Sequence, residues 1–295
     1  MGGSSWSTDS YRAYSCSVGR GYNAKTATFD SCYTSSAQAF VSRTLNKALD
    51  PKNVIRECCD STEHPNTIPV ILALDVTGSM GNTAIQIQKQ LNPIMQKLYE
   101  TVKDVEIAIM AIGDLVCDNA PIQISQFESD IRIADNLDKI YFENGGGGNL
   151  WESYTAAWYV GARMTKLDCW KRGKKGIIIT MGDEQLNPYL PKRTLSNCVG
   201  TTLQEDISTK DLYDEVKDKY DVYHICVKSS CYPNQKFNVK SFKEVIGEQN
   251  VFESNVDEIQ DKIIGIIQDY AKAIDFDHIA DSKIAKTNEN DEIYW

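Results

Sequence analysis

The chain has 295 residues, 42% of them apolar, and a formal net charge of −10 from 31 Lys and Arg against 41 Asp and Glu. That length supports one large domain or two small ones around a substantial core. No basic block offsets the acidity, which excludes a nucleic-acid partner, because phosphate backbones are held by clustered Lys and Arg.

Residues 1–64 are rich in Ser, Thr, Tyr, Gly and Asn and show little periodicity, which predicts an irregular N-terminal extension with one short helix near Ala37 to Leu49. From residue 65 to 275 the pattern is that of an α/β domain. Ile68 to Leu74 reads as a buried strand. Asn82 to Val102 reads as a helix with Ile87, Leu91, Ile94, Met95 and Leu98 on one face and a kink at Pro93. Val105 to Ile112 is a second apolar run, Pro121 to Phe127 an edge strand, and Ile131 to Tyr141 a short helix. Gly145 to Gly148 precede a helical stretch that begins near Asn149. Gly176 to Thr180 is a third buried strand, followed by a long polar loop over 185–207 and a charged helix from Asp211 to Tyr220. Val222 to Val227 and Val251 to Glu253 are further strands, and Ser254 caps a last helix whose inner face carries Ile259, Ile263, Ile266, Ile267 and Tyr270. Residues 276–295 form a polar C-terminal tail that ends in Ile293, Tyr294 and Trp295, either a solvated end or an aromatic anchor for a docking pocket. Strands that alternate with helices imply a Rossmann-like, doubly wound, mostly parallel central sheet covered on both faces.

No stretch approaches the roughly 20 apolar residues of a membrane span, and the N-terminal composition predicts no signal peptide. The nine cysteines form no Cys-x-x-Cys pair and no zinc spacing, and they read as free thiols of a reducing, cytoplasmic compartment. His64, His224 and His278 show no metal-pair spacing.

The most informative segment is Pro69 to Ser79. Its apolar run ends abruptly in Asp75, Thr77 and Ser79, spaced two apart, so a buried strand delivers three oxygen-bearing side chains to its C-terminal lip. Ligands of open α/β sheets bind at that lip. Two more loops open on the same edge. One is the glycine turn leading to Asn149, Glu152 and Ser153, and the other holds Asp183 after the third strand. Hydroxyls and carboxylates with a few waters suit a six-oxygen magnesium shell, with manganese or calcium as alternatives, and no thiolate in these loops invites a softer metal. Each residue also has a plainer reading. Ser79 fits a helix N-cap, Glu152 the first turn of its helix, and Asp183 with Glu184 a solvated loop. Asp114 either supports the ligands from behind or begins a turn.

With these residues in place, the chain resembles a von Willebrand factor A-type (vWA) domain with a metal-ion-dependent adhesion site. The resemblance covers about residues 66–274, and the wording Leu74-Asp75-Val76-Thr77-Gly78-Ser79-Met80 is similar to bacterial and phage members of unassigned role. The family motif is Asp-x-Ser-x-Ser, and Thr77 keeps the first hydroxyl. The resemblance implies a vWA fold and a metal held by Asp75, Thr77, Ser79, a second-loop residue and Asp183. No Thr follows the glycines, so Asn149, Glu152 or Ser153 must replace the family's second-loop ligand, with Glu152 favoured. A Glu there adds a charge that the family takes from its partner.

The implied function is a metal-dependent protein-binding module for adhesion or assembly, without catalysis, in which a partner's Asp or Glu completes the shell. A structural component of a phage particle or multi-protein assembly, with a self-satisfied or vestigial site, is the alternative, and a phage origin places the chain in a virion. A magnesium-dependent phosphohydrolase ranks third. Thr77 stands where haloacid-dehalogenase-like enzymes place a second Asp, and Ser79 has no histidine base in its motif.

Overall fold

The computed structural model describes residues 5–23, 28–30, 40, 42–143, 151–228 and 235–288. In chain order, α1 (Thr8–Ser17), β1 (Gly21–Asn23), β2 (Thr28–Asp30) and β3 (Arg56–Cys58) precede β4 (Ile68–Asp75), α2 (Gly81–Thr101), β5 (Val105–Ile112) and β6 (Ile122–Ile124). There follow α3 (Arg132–Asp138), β7 (Trp151–Glu152), α4 (Thr155–Arg163), β8 (Thr165–Leu167), β9 (Gly176–Gly182), β10 (Gln185–Leu186) and β11 (Tyr189–Leu190). The rest comprises α5 (Lys192–Val199), β12 (Ile207–Ser208), α6 (Thr209–Val216), β13 (Tyr220–Val227), α7 (Lys236–Ile246), β14 (Val251–Ser254) and α8 (Ile259–Asn288).

The main sheet has six strands in the order β14-β13-β9-β4-β5-β6, all parallel except the edge strand β6. Counted along the chain this is 3-2-1-4-5-6, the doubly wound order, whose switch point falls between β4 and β9. All eight residues of β4 and of β5 are buried, as expected of central strands covered on both faces. Alternation along β4 divides the core: Val70, Leu72 and Leu74 face the layer of α2 and α8, while Ile71 and Ala73 face the layer of α4, α6 and α7. The inner faces expected of α2 and α8 are buried in the first layer, including Leu91, Met95, Leu98, Ile263 and Ile267. Helix α2 continues past Pro93. Among the described residues no helix is long and apolar enough to cross a membrane.

Five local expectations are corrected. The stretch before residue 65 is not irregular throughout: α1 starts at a Ser7 cap, and Trp6, Tyr11, Phe40 and Leu49 join the main core. Trp6 Nε1 donates to Asn92 Oδ1 at 3.0 Å, and the Tyr11 hydroxyl to the Gln88 carbonyl at 3.2 Å, so α1 is laid on α2. The described part of the segment expected as a helix near Ala37 to Leu49 forms an isolated bridge at Ser42 and a turn over 47–49 instead. The loop over 185–207 contains α5 and the β11–β12 pair, held by burial of Leu195, Val199 and Leu190. Ser254 ends β14, gives its hydroxyl to the Asn255 carbonyl at 2.9 Å and caps nothing, and α8 begins only at Ile259 after a 3-10 turn. Helix α8 also carries regular structure into the expected tail, as far as Asn288, and Ile293, Tyr294 and Trp295 lie outside the described residues.

Candidate metal centre

The lip at the switch point is built from the ends of β4 and β9 and from β7. Asp75, the last residue of β4, is fully buried. Its Oδ1 accepts from the Thr77 backbone N–H at 2.9 Å and from the Thr77 hydroxyl at 2.6 Å, closing a tight turn directly after the strand. Its Oδ2 accepts from the Tyr154 hydroxyl at 2.8 Å. Across the switch point the Ser79 hydroxyl donates to Asp183 Oδ1 at 2.9 Å, which ties the end of β4 to the end of β9. Asp183 is fully buried, and its carbonyl accepts from the side chains of Asn238 and Gln235 at the start of α7.

Helix capping does not account for the hydroxyls. Neither Thr77 nor Ser79 caps α2 or the 3-10 turn before it; each is turned toward a carboxylate. Glu152 likewise lies in β7, paired in parallel with Leu186 of β10, and not in the first turn of a helix, since α4 begins at Thr155. It is buried, and its Oε2 has no hydrogen-bond partner among the described residues. Ser153 is committed elsewhere: its Oγ accepts from the Leu115 N–H at 3.0 Å and fastens the loop after β5. Asp114, on that loop, is buried, and its Oδ1 accepts from the Val116 N–H at 2.8 Å. Asn149 and the four glycines lie outside the described residues.

Tyr154 is absent from the residues singled out by sequence, yet it sits at the heart of the lip. Its hydroxyl donates to Asp75 and accepts from the Glu184 N–H at 3.3 Å. Its ring packs edge-on against His224, with centroids 5.1 Å apart, and against Phe242, 5.4 Å apart. The only sequence signal for it is Gly182. A Cβ at that position would lie 1.9 Å from the Tyr154 hydroxyl, so the residue opposite Tyr154 must lack a side chain.

The electrostatics of the lip are one-sided. Burial raises the Asp75 carboxyl to about 7, with the charge of Asp183 adding to it against the hydrogen bonds from Thr77 and Tyr154. Glu152 is raised further, by burial first and then by Asp75, Glu184, Asp114 and Asp118. The leading charges acting on both are other carboxylates. Buried carboxylates without a cationic neighbour either keep their protons or take up a cation. Among the described residues no three Asp, Glu, His or Cys side chains stand close enough to hold an ion by themselves. A shell here therefore needs the Thr77 and Ser79 hydroxyls and water beside the acids. The donors are all hard oxygens, which fit magnesium, manganese or calcium. His224, the nearby imidazole, has Nδ1 on the Thr180 hydroxyl at 2.8 Å and its ring stacked on Phe242, and burial lowers its pKa well below the usual value.

A pH dependence follows. Both acids hold protons more tightly in the folded than in the unfolded chain. In chelator, their contribution to stability is fully present below the ordinary carboxylate range, about 4; that of Asp75 is lost as pH rises through about 7, and that of Glu152, which is raised further, only at higher pH. A divalent cation bound there would replace those protons, so magnesium should raise the melting temperature little at about pH 5 and clearly at about pH 8. Melting curves with magnesium or EDTA at both pH values test this; an equal magnesium effect at both would contradict it.

No family model matches the chain, and no curated protein sequence does. Several solved structures are similar to it in part. The pilus adhesin SpaC from Lactobacillus rhamnosus GG, in its open conformation, matches over 70% of this chain and 30% of its own, at 12% identity and a TM-score of 0.48. The vWF domain of the type V pili tip protein Mfa5 from Porphyromonas gingivalis matches over 68% of this chain and 95% of its own, at 11% identity and a TM-score of 0.43. The conserved hypothetical protein BatB from Bacteroides thetaiotaomicron matches over 70% and 99%, at 12% identity and a TM-score of 0.44. This chain thus spans only about 30% of the length of SpaC. The 3-2-1-4-5-6 sheet, with Asp75-x-Thr77-x-Ser79 at its switch point, is the doubly wound, mostly parallel α/β architecture that the sequence pattern implied.

Proposed function

We propose that the chain is a protein-binding module that holds a divalent cation, magnesium in the first instance, at the switch point of its sheet. The observation that carries this reading is the burial of Asp75, Glu152 and Asp183 at one lip, with two hydroxyls turned toward carboxylates and one Glu152 oxygen unpartnered. Asp75, Thr77, Ser79, Glu152 and Asp183 would hold the ion, with water, and Asp114 and Tyr154 would support them. Asn149 and Ser153 are the other second-loop candidates, Ser153 only by giving up its bond to Leu115. An Asp or Glu of a protein partner completes the shell, and the loops around the lip select that partner. The bound cation supplies charge and coordination, and no bond is broken. A hydrolase would need a base near Ser79, and His224 is instead buried between Thr180 and Phe242. All seven described cysteines are free thiols, in keeping with a cytoplasmic, reducing setting.

One observation favours the assembly variant of this reading: a buried Glu152 can supply the carboxylate that a partner would otherwise bring. Glu152→Thr distinguishes the two. If Glu152 ligates, the variant binds magnesium on the order of tenfold more weakly in calorimetric titration, and its capture of a partner becomes more sensitive to EDTA. Unchanged metal affinity removes Glu152 from the shell. The overall reading is tested by titrating magnesium, manganese and calcium into the full chain, since a module of this kind binds at least one of them.

A further inference from the structure

Three of the six large apolar side chains that are exposed among the described residues stand beside the metal centre. Phe237 is 70% exposed, Val116 68% and Trp151 37%. Each is held in place by contacts that belong to the lip. Val116 donates its N–H to Asp114 Oδ1 at 2.8 Å, and the preceding Leu115 N–H is on Ser153 Oγ at 3.0 Å. Trp151 precedes Glu152 in β7, and strand alternation turns its ring outward where Glu152 turns in. Phe237 lies between Gln235 and Asn238, whose side chains hold the Asp183 carbonyl. Apolar side chains presented by three separate elements around one acidic site mark a surface for a protein partner.

The chemistry of this surface specifies what fits it: a carboxylate for the cation, with bulky apolar groups beside it for the rim. The chain itself carries such a segment. Residues 291–295 read Asp-Glu-Ile-Tyr-Trp, two acids followed by three large apolar residues. The course of α8 decides which lip they can reach. Helix α8 follows β14 at the C-terminal edge, and its Tyr270 hydroxyl donates to the Lys175 carbonyl at the entry of β9, so the helix runs toward the opposite edge. It continues to Asn288, about 27 Å beyond Tyr270 at 1.5 Å per residue. The eight residues of β4 put the lip about 26 Å further away on the other side. Residues 289–295 span at most about 24 Å when extended, too little to bring them back to the lip of their own chain.

We propose that residues 291–295 of one copy dock on the metal lip of another, with Glu292 on the cation and Tyr294 and Trp295 against Trp151 and Phe237. The contact joins two different surfaces of the same chain, so it is heterologous and builds rings or open chains of copies. This inference rests on the reading of the lip as a cation-holding, protein-binding site. Without the cation, the buried acids of the lip would repel Asp291 and Glu292, so assembly should need the metal.

The test is sedimentation of the full chain from low to high micromolar concentration, in magnesium and in EDTA. In magnesium the chain should associate as concentration rises, and in EDTA it should not. Glu292→Gln and Trp295→Ala, which alter the docking segment, and Phe237→Ser, which alters the rim, should each raise the concentration needed about tenfold or more. Magnesium titration should stay unchanged in Trp295→Ala and Phe237→Ser. An equimolar mixture of those two variants has one intact segment and one intact lip. It should pair at concentrations at which neither variant associates alone. A full chain that binds magnesium yet stays monomeric, or that associates equally well in both variants, overturns the proposal and leaves the cation reading standing. Association lost in Trp295→Ala but indifferent to EDTA keeps the docked segment and overturns the cation reading instead.

Discussion

Asp75→Asn should abolish the proposed magnesium binding while the sheet remains folded. The substitution keeps the shape of the side chain, and its oxygen can still accept from the Thr77 N–H and hydroxyl that now bond Oδ1. It removes the negative charge that ends β4 at the switch point. Losing one carboxylate from an oxygen shell should lower affinity by roughly 100-fold or more, beyond the range of an ordinary titration. Stability should move the other way. A buried carboxylate raised by burial and by Asp183 is a burden to the metal-free fold at neutral pH. In EDTA at about pH 8 the variant should therefore be as stable as the parent or more so, by roughly 1–3 kcal/mol. Greater stability together with lost binding is the signature of a residue retained for function. Calorimetry and chemical denaturation read the two quantities separately, and a folded variant that binds magnesium as well as the parent would remove Asp75 from the site.

The second large effect is expected at Gly182, which bears no functional group. An added methyl would meet the Tyr154 hydroxyl at 1.9 Å and two ring carbons at 2.5 Å. The ring has little freedom to give way, since Tyr154 is fully buried and packs edge-on against both His224 and Phe242. Gly182→Ala should cost about 1–3 kcal/mol through overpacking. It should also weaken magnesium, because the displaced hydroxyl releases Asp75 and the Glu184 N–H together. The cause can be isolated with a double-mutant cycle. In a Tyr154→Ala background the methyl has room, and the cost of Gly182→Ala should largely vanish. A cost unchanged in that background would show that the strain lies in the β9 backbone and not against Tyr154.

The sheet was legible because its strands are near-continuous apolar runs, as in β4 and β5, a pattern peculiar to strands covered on both faces. The lip was legible for a related reason: Asp75, Thr77 and Ser79 break the apolar run abruptly and at regular spacing. Features that depend on distant partners were not. Tyr154 looks like any aromatic entering a helix until β9 brings Gly182 against it. Helix α1 buries only Tyr11 and Ser15, too few to show a period, and is held down through Asn92 and Gln88 of α2. Helix α5 buries only Leu195 and Val199, and its polar sequence reads as loop without the neighbours that cover those two residues.

The measurement that bears most directly on the metal centre is a crystal structure of the full chain grown with manganese, located by its anomalous scattering. The account predicts one strong peak at the C-terminal lip, about 2.0–2.2 Å from the hydroxyl oxygens of Thr77 and Ser79, with Asp75, Glu152 and Asp183 contacting it directly or through water. A map with no peak there, while Thr77 still bonds Asp75 and Ser79 still bonds Asp183, would contradict it.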